Sequence, residues 1–172
     1  QLRIAVNLSA RQFTQASLLE SIKATLQETG LAARFLEIEL TESSVMADIE
    51  RNILTLRDLK SLGVQLSVDD FGTGHSSLAY LKRFPIDTLK IDRSFVRDIA
   101  INQDDASIVS SIISLAHNLK LNVIAEGVET ASQMDILRAQ GCNEMQGYYF
   151  CKPLPSDPVS YTHLTLPTTP YV

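Results

Sequence analysis

At 172 residues, 45% hydrophobic and 20% charged, the chain suits one globular domain with a real core. The net charge of −5 and a pI of about 5.1, with no basic run, argue against nucleic-acid binding through phosphate neutralisation. No apolar run approaches the ~20 residues that span a bilayer, and no stretch reads as a signal peptide.

The first strand-like run is RIAVNLS. SARQFTQASLLESIKATLQETG then carries apolar residues at helical spacing and stops at Gly30. FLEIELT is the second strand, and DIERNILTLRDLKSLG the next helix, ending at Gly63. VQLSVDD and DTLKID follow as strands three and four. DDASIVSSIISLAHNLKL is helical, LNVIAEG is the fifth strand, TASQMDILRAQG is a helix, and MQGYYF is the sixth strand. Asp and Thr near the starts of those last two helices are candidate caps. Such alternation predicts a parallel sheet with crossover helices, either doubly wound or part of a (β/α) barrel.

Side-chain parity separates the two. Neighbouring residues in a strand point to opposite faces. Ile4, Val6 and Leu8 share one face, and so do Leu36, Ile38 and Leu40, Val64, Leu66 and Val68, and Leu89 and Ile91. The other face carries Asn7, Glu37 and Glu39, Ser67 and Asp69, Lys90 and Asp92, and Glu126. A doubly wound sheet packs helices on both faces and wants both apolar. A barrel has one helix-covered face and one lumen, with its active site at the C-terminal ends of the strands. The fold class is therefore α/β, an incomplete TIM-type (β/α) barrel with about six of the eight strands present. Asn7, Glu39, Asp69, Lys90 and Glu126 line its upper lumen.

Converging oxygen ligands suit Mg²⁺, Mn²⁺ or Ca²⁺ better than zinc. Adjacent Asp69 and Asp70 fit a two-metal centre, and phosphodiester hydrolysis is the natural reaction for one. Lys90 among these carboxylates fits a group that orients water or stabilises phosphoryl charge. The Asp-Phe-Gly at residues 70–72 lacks the other kinase signatures, and Gly-Thr-Gly at 72–74 is no Walker loop. Those glycines make a mobile loop or allow close backbone approach. Cys142 and Cys151 match no zinc or redox spacing and read as reduced thiols. The three histidines form no cluster.

Together NLSARQF, LEIELTES, VDDFGTGHSSLAYLKRFPIDTLKIDRSFV, VIAEGVET and MQGYYFCKPL resemble, in order, the EAL-domain family of cyclic di-GMP phosphodiesterases. The resemblance implies a (β/α) barrel with two divalent cations, Mg²⁺ or Mn²⁺, that hydrolyses cyclic di-GMP to linear pGpG. It implies metal ligation by Asn7, Glu39, Asp69 and Asp70. Lys90 would hold the nucleophilic water, Glu126 would act as base or orient that water, and Gln146 matches an active-site Gln. Glu42 would steady the loop of Gly72, Thr73 and Gly74, which the family links to dimerisation and regulation, so a homodimer is an expected partner state. Asp92 and Glu129 have no assigned role. His75 stands where Tyr is usual; a pH-sensitive loop and a surface substitution both stay open.

The family's Glu-Ala-Leu motif belongs to an earlier strand, so the chain is expected to lack its first two βα units and one ligating Glu. Residues 1–158 are expected to form the partial phosphodiesterase domain. Residues 159–172, rich in Pro and Thr, are expected to be a non-native or disordered tail. The parent protein is expected to be cytoplasmic, or membrane-anchored elsewhere, and fused to sensor or diguanylate-cyclase-like domains. The alternative is a degenerate EAL domain that binds the nucleotide or a partner without catalysis. A different metal-dependent barrel hydrolase is a third reading.

Overall fold

Among the described residues, six parallel strands form one sheet in their chain order, the order that right-handed βα crossovers generate. The computed structural model describes residues 3–74, 78–142 and 144–153. His75 and the expected tail from Val159 lie outside the described residues. The strands are β1 (Ile4–Asn7), β2 (Leu36–Thr41), β3 (Gln65–Phe71), β4 (Thr88–Ile91), β5 (Asn122–Ala125) and β6 (Glu144–Met145). MQGYYF is thus a strand only at its first residue; β6 begins one residue earlier and Gln146 already lies beyond it.

The sheet curls into a half-barrel. Arg3, at the foot of β1, reaches across the lumen to Glu144 on β6, with Nη2 2.9 Å from Oε2. Helices cover the convex face. There Ile38, Leu40, Val64, Leu66, Val68, Leu89, Ile91, Val123 and Ala125 are buried, which is the predicted apolar parity. The principal helices are α2 (Leu18–Thr29), α4 (Ile49–Ser61), α7 (Gln103–Asn118) and α8 (Ala131–Ala139). The apolar face of β1 is the exception: Ile4 is 53% and Val6 47% exposed.

Local chemistry sets the helix ends. The first helical run is interrupted after α1 (Ala10–Phe13), which Ser9 and Gln12 close with a capping box. The break re-aims the chain so that Phe13 and Leu18 are both buried. Gly30 ends α2 in the left-handed conformation, φ 68°. Asn102, rather than the following aspartates, caps α7; Asp104 and Asp105 sit in its first turn, where negative charge is favoured. Thr130 and Gln133 form a capping box on α8. Two short helices were not predicted, α3 (Glu42–Met46) and α6 (Arg93–Arg97). Each starts directly at the top of a strand, too short to show periodicity. Between them α5 (Leu78–Leu81) is a single turn. Among the described residues, no helix is long and apolar enough to cross a membrane.

The two thiols differ in environment. Cys142 is fully buried, and burial pushes its thiol up to about 11, whereas Cys151 is exposed. A thiol reagent at pH 8 should therefore label Cys151 in the native protein and Cys142 only after unfolding. Rapid native labelling of both would show that the β5–α8 packing opens.

Candidate active site

The upper lumen is organised around one ammonium group. Lys90 projects inward from β4 and is 3% exposed. Its Nζ lies 2.7 Å from Glu39 Oε1 on β2, 2.5 Å from Glu126 Oε1 beyond β5 and 3.5 Å from Asp69 Oδ1 on β3. Burial opposes the Lys90 charge, but hydrogen bonds to Glu126 and Glu39 and the nearby Asp69 outweigh it and hold the pKa above the usual lysine range. Burial raises the Glu126 pKa, and Lys90 offsets only part of that rise. Lysine and glutamate are thus both raised, the ammonium by its carboxylates and the carboxyl by its burial.

Gln146 joins the group by donating from Nε2 to Glu126 Oε1 at 2.6 Å. The backbone fixes this geometry. Gln146 N–H donates to the Ala125 carbonyl at 2.9 Å, Val128 N–H to the Gln146 carbonyl at 3.1 Å, and Tyr149 N–H to the Val128 carbonyl at 3.0 Å. Gly147 makes that zipper possible, because a Cβ there would overlap the Val128 backbone. Gly147→Ala should therefore cost at least about 2 kcal/mol of stability, the scale of steric conflict with backbone that cannot rotate away. Urea denaturation measures it; an unchanged midpoint would mean that this segment detaches freely from Val128.

Adjacent Asp69 and Asp70 reach the same rim by a backbone irregularity. Asp70 adopts φ 55°, rare for a residue other than Gly. The β3–β4 register shifts between Val68 and Phe71. Asp69 stays on the lumen face, and its Oδ1 accepts the Asp70 N–H at 3.0 Å. Asp70 meets Asp92, the cap of α6. Burial, then Asp69 and Asp92, raise the Asp70 pKa. Burial works against the Asp92 charge, yet Ser94 and Asp70 hold it below the usual range by hydrogen bonding.

The loop beyond Asp70 is tied to α3. Glu42 is buried, and its Oε2 accepts the Gly72 N–H at 2.9 Å. A Cβ on Gly74 would overlap the Glu42 carboxylate. Thr73 closes the turn by donating Oγ1–H to the Asp70 carbonyl at 2.8 Å. Gly72, φ 101°, packs against Phe95 and Ile112.

Two expected site residues stand apart from this network. Asn7 is exposed on β1, in register with Glu39. Glu129 has an exposed side chain, and its N–H donates to Gln133 Oε1 at 2.7 Å. Sequence reasoning missed the lower ion network, in which Arg3 Nη1 lies 3.5 Å from Glu37 Oε2 and Nη2 binds Glu144. Glu37 shares the parity of Glu39, and that was its available signal.

Asn7, Glu39, Asp69 and Asp70 offer only oxygen donors, the type that hard cations prefer, and Asp70 lies under like-charge pressure from Asp69 and Asp92. As placed, no three His, Cys, Asp or Glu side chains among the described residues stand close enough to hold an ion.

The EAL domain model matches residues 1–153. The chain is 51% identical over 155 residues to the cyclic di-GMP phosphodiesterase NbdA of Pseudomonas aeruginosa, covering 90% of this chain and 20% of NbdA. It is 44% identical over 155 residues to the cyclic di-GMP phosphodiesterase PdeR of Escherichia coli, covering 90% of this chain and 23% of PdeR. The chain thus spans about a fifth of the length of the curated relatives it matches. Its fold is similar to the PaMucR phosphodiesterase in complex with c-di-GMP, with TM-score 0.89, 46% identity, and 91% of this chain and 64% of that chain covered. It is also similar to Klebsiella pneumoniae BlrP1 in a manganese/cyclic di-GMP complex, with TM-score 0.79, 32% identity, and 86% and 38% covered.

Proposed function

The chain belongs to the EAL domain family, and from that premise we propose that it supplies the carboxylate-rich part of a cyclic di-GMP phosphodiesterase site. The observation that carries this reading is Lys90 held by Glu39, Glu126 and Asp69 at the C-terminal ends of four parallel strands. The reaction is hydrolysis of one phosphodiester bond of cyclic di-GMP, giving linear pGpG.

Asn7, Glu39, Asp69 and Asp70 would hold two divalent cations, Mg²⁺ or Mn²⁺. Bound there, such ions stabilise charge on the attacking and leaving oxygens. The remaining work belongs to the side chains. Lys90 stays protonated at neutral pH and donates to the attacking water or the phosphoryl oxygens. Glu126, its pKa raised by burial, is suited to accept a proton from that water as the phosphorus–oxygen bond forms. Gln146 fixes the Glu126 carboxylate by its 2.6 Å hydrogen bond. The leaving 3′ oxygen takes up a proton, and the new phosphomonoester remains on the 5′ side. Glu42 keeps the 72–74 loop, and through it Asp70, against the top of the sheet.

Residues 1–158 are the catalytic-domain portion in this reading, and the parent protein carries further domains. The experiment is pGpG formation by the full-length protein with Mg²⁺ or Mn²⁺, with and without chelator. Turnover that chelation abolishes supports the assignment. Tight nucleotide binding with no pGpG under either metal would favour a non-catalytic binding module, and chelator-insensitive turnover would remove the two-metal mechanism.

A further inference from the structure

Directly beneath the Lys90 cluster lies a second set of polar side chains, Glu37, Ser67 and Thr88, each with a buried oxygen that no protein group meets. Glu37 is 4% exposed, Ser67 0% and Thr88 1%. Glu37 Oε1, Ser67 Oγ and Thr88 Oγ1 are buried and have no hydrogen-bond partner. Each stands two residues before a member of the cluster on its own strand: Glu37 before Glu39, Ser67 before Asp69, Thr88 before Lys90. Two residues along a strand return to the same face, so all three point into the lumen one step lower. Ser67 and Thr88 are register partners, and Glu37 lies on the neighbouring strand in register with Gln65, two residues before Ser67 and so diagonal to it on the same face.

Three orphaned polar atoms on one patch are an exception to the rule that buried polar groups are satisfied. Their chemistry narrows the occupant. Glu37 already has a counter-charge, since Arg3 Nη1 lies 3.5 Å from its other oxygen. A second cation is therefore not called for, and an anion would face the carboxylate. The ligand must be neutral, must donate to Glu37 Oε1, and must both accept from and donate to hydroxyls. It must also be small. Ala5, the β1 residue in register with Glu37, contributes only a methyl group at this level of the lumen. We propose that Glu37, Ser67 and Thr88 form a binding site for ordered water beneath the Lys90 cluster. About three hydrogen bonds to otherwise unsatisfied groups is the usual complement of a buried water. The site lies one layer below the proposed chemistry and does not depend on the chain being catalytic.

Thr88→Val tests it by the sign of the stability change. The swap keeps the shape and removes the hydroxyl. If water is held, it loses a partner, and Tm should fall by about 2–4 °C, the shift expected for one buried hydrogen bond in a domain of this size. Thr88→Ser should then retain most of the wild-type Tm. If the site is dry, valine removes an unsatisfied hydroxyl and Tm should stay level or rise, which would overturn the proposal. A crystal structure of the unaltered chain gives the second reading, in case the valine variant does not fold. An oxygen-sized density peak within about 3.2 Å of at least two of the three atoms is expected. Absence of that peak from well-defined density would overturn the site regardless of the variants.

Discussion

Lys90→Met should destabilise the fold by about 3–5 kcal/mol at pH 7, the cost of leaving buried charges without their partner. Methionine fills similar space, so the loss is electrostatic rather than steric. It strands Glu39 and Glu126, which Lys90 holds at 2.7 and 2.5 Å, together with Asp69 at 3.5 Å. The pH dependence carries a sign. In the native protein the raised lysine pKa gives stability that is complete below the unfolded value of ~10.4 and lost only as pH climbs through the folded value. In the variant the carboxyls decide. Burial already raises the Glu126 pKa, and removing Lys90 raises it further. The folded state then binds more protons than the unfolded state above ~4.3, so the variant loses stability as pH rises through that window. Thermal melts at pH 5 and pH 7 should show a larger deficit at pH 7. Equal melting temperatures for variant and wild type at pH 7 would mean that the cluster is solvated and Lys90 is no buried keystone.

Parity explains how much of this was legible in the sequence. A strand's period of two is set by backbone geometry, so Glu39, Asp69, Lys90 and Glu126 could be placed on one face without any contact being known. The same rule placed Glu37 there, but it cannot say which of two stacked glutamates meets Lys90 and which meets Arg3. Periodicity also fails wherever the backbone departs from it. Asp70 should point away from Asp69; the φ of 55° and the shifted β3 register bring it to the rim beside Asp92. The adjacency of the two aspartates and the family motif, and not the strand parity, marked Asp70 as a candidate ligand. Gln146 is a similar case. It lies beyond β6 and reaches Glu126 because Gly147 lets two backbones approach, a tertiary fact carried by one missing Cβ. The short helices α3 and α6 have too few residues to show a period. Their caps, Thr41 and Asp92, were the only local signals available. The exposed apolar face of β1 shows the limit from the other side. Its pattern reads as buried, but burial depends on what packs against it, and among the described residues Ile4 and Val6 stay about half exposed.

In the proposed reaction, Asp69→Asn in the full-length protein should lower kcat on the order of 10²-fold or more while changing KM only a few-fold. The two effects separate because the substitution alters charge and leaves shape in place. An amide oxygen can still accept the Asp70 N–H that Asp69 Oδ1 now takes at 3.0 Å, so the bulge at the top of β3 persists. Lys90 keeps its shorter contacts to Glu39 and Glu126, so the ion cluster survives. Loss of the Asp69 charge also removes one of the causes that raise the Asp70 pKa, and folding stability should hold or rise slightly. What disappears is the one carboxylate placed between the Lys90 cluster and the Asp70–Asp92 corner, the position from which a single side chain could serve two cations. The substitution leaves the shape of the rim in place, which is why binding should outlast turnover. Steady-state kinetics with Mn²⁺, paired with a melting curve, distinguish the outcomes. A near-normal kcat would exclude Asp69 from direct metal contact, and a collapsed melting temperature would mean that the charge itself supports the fold.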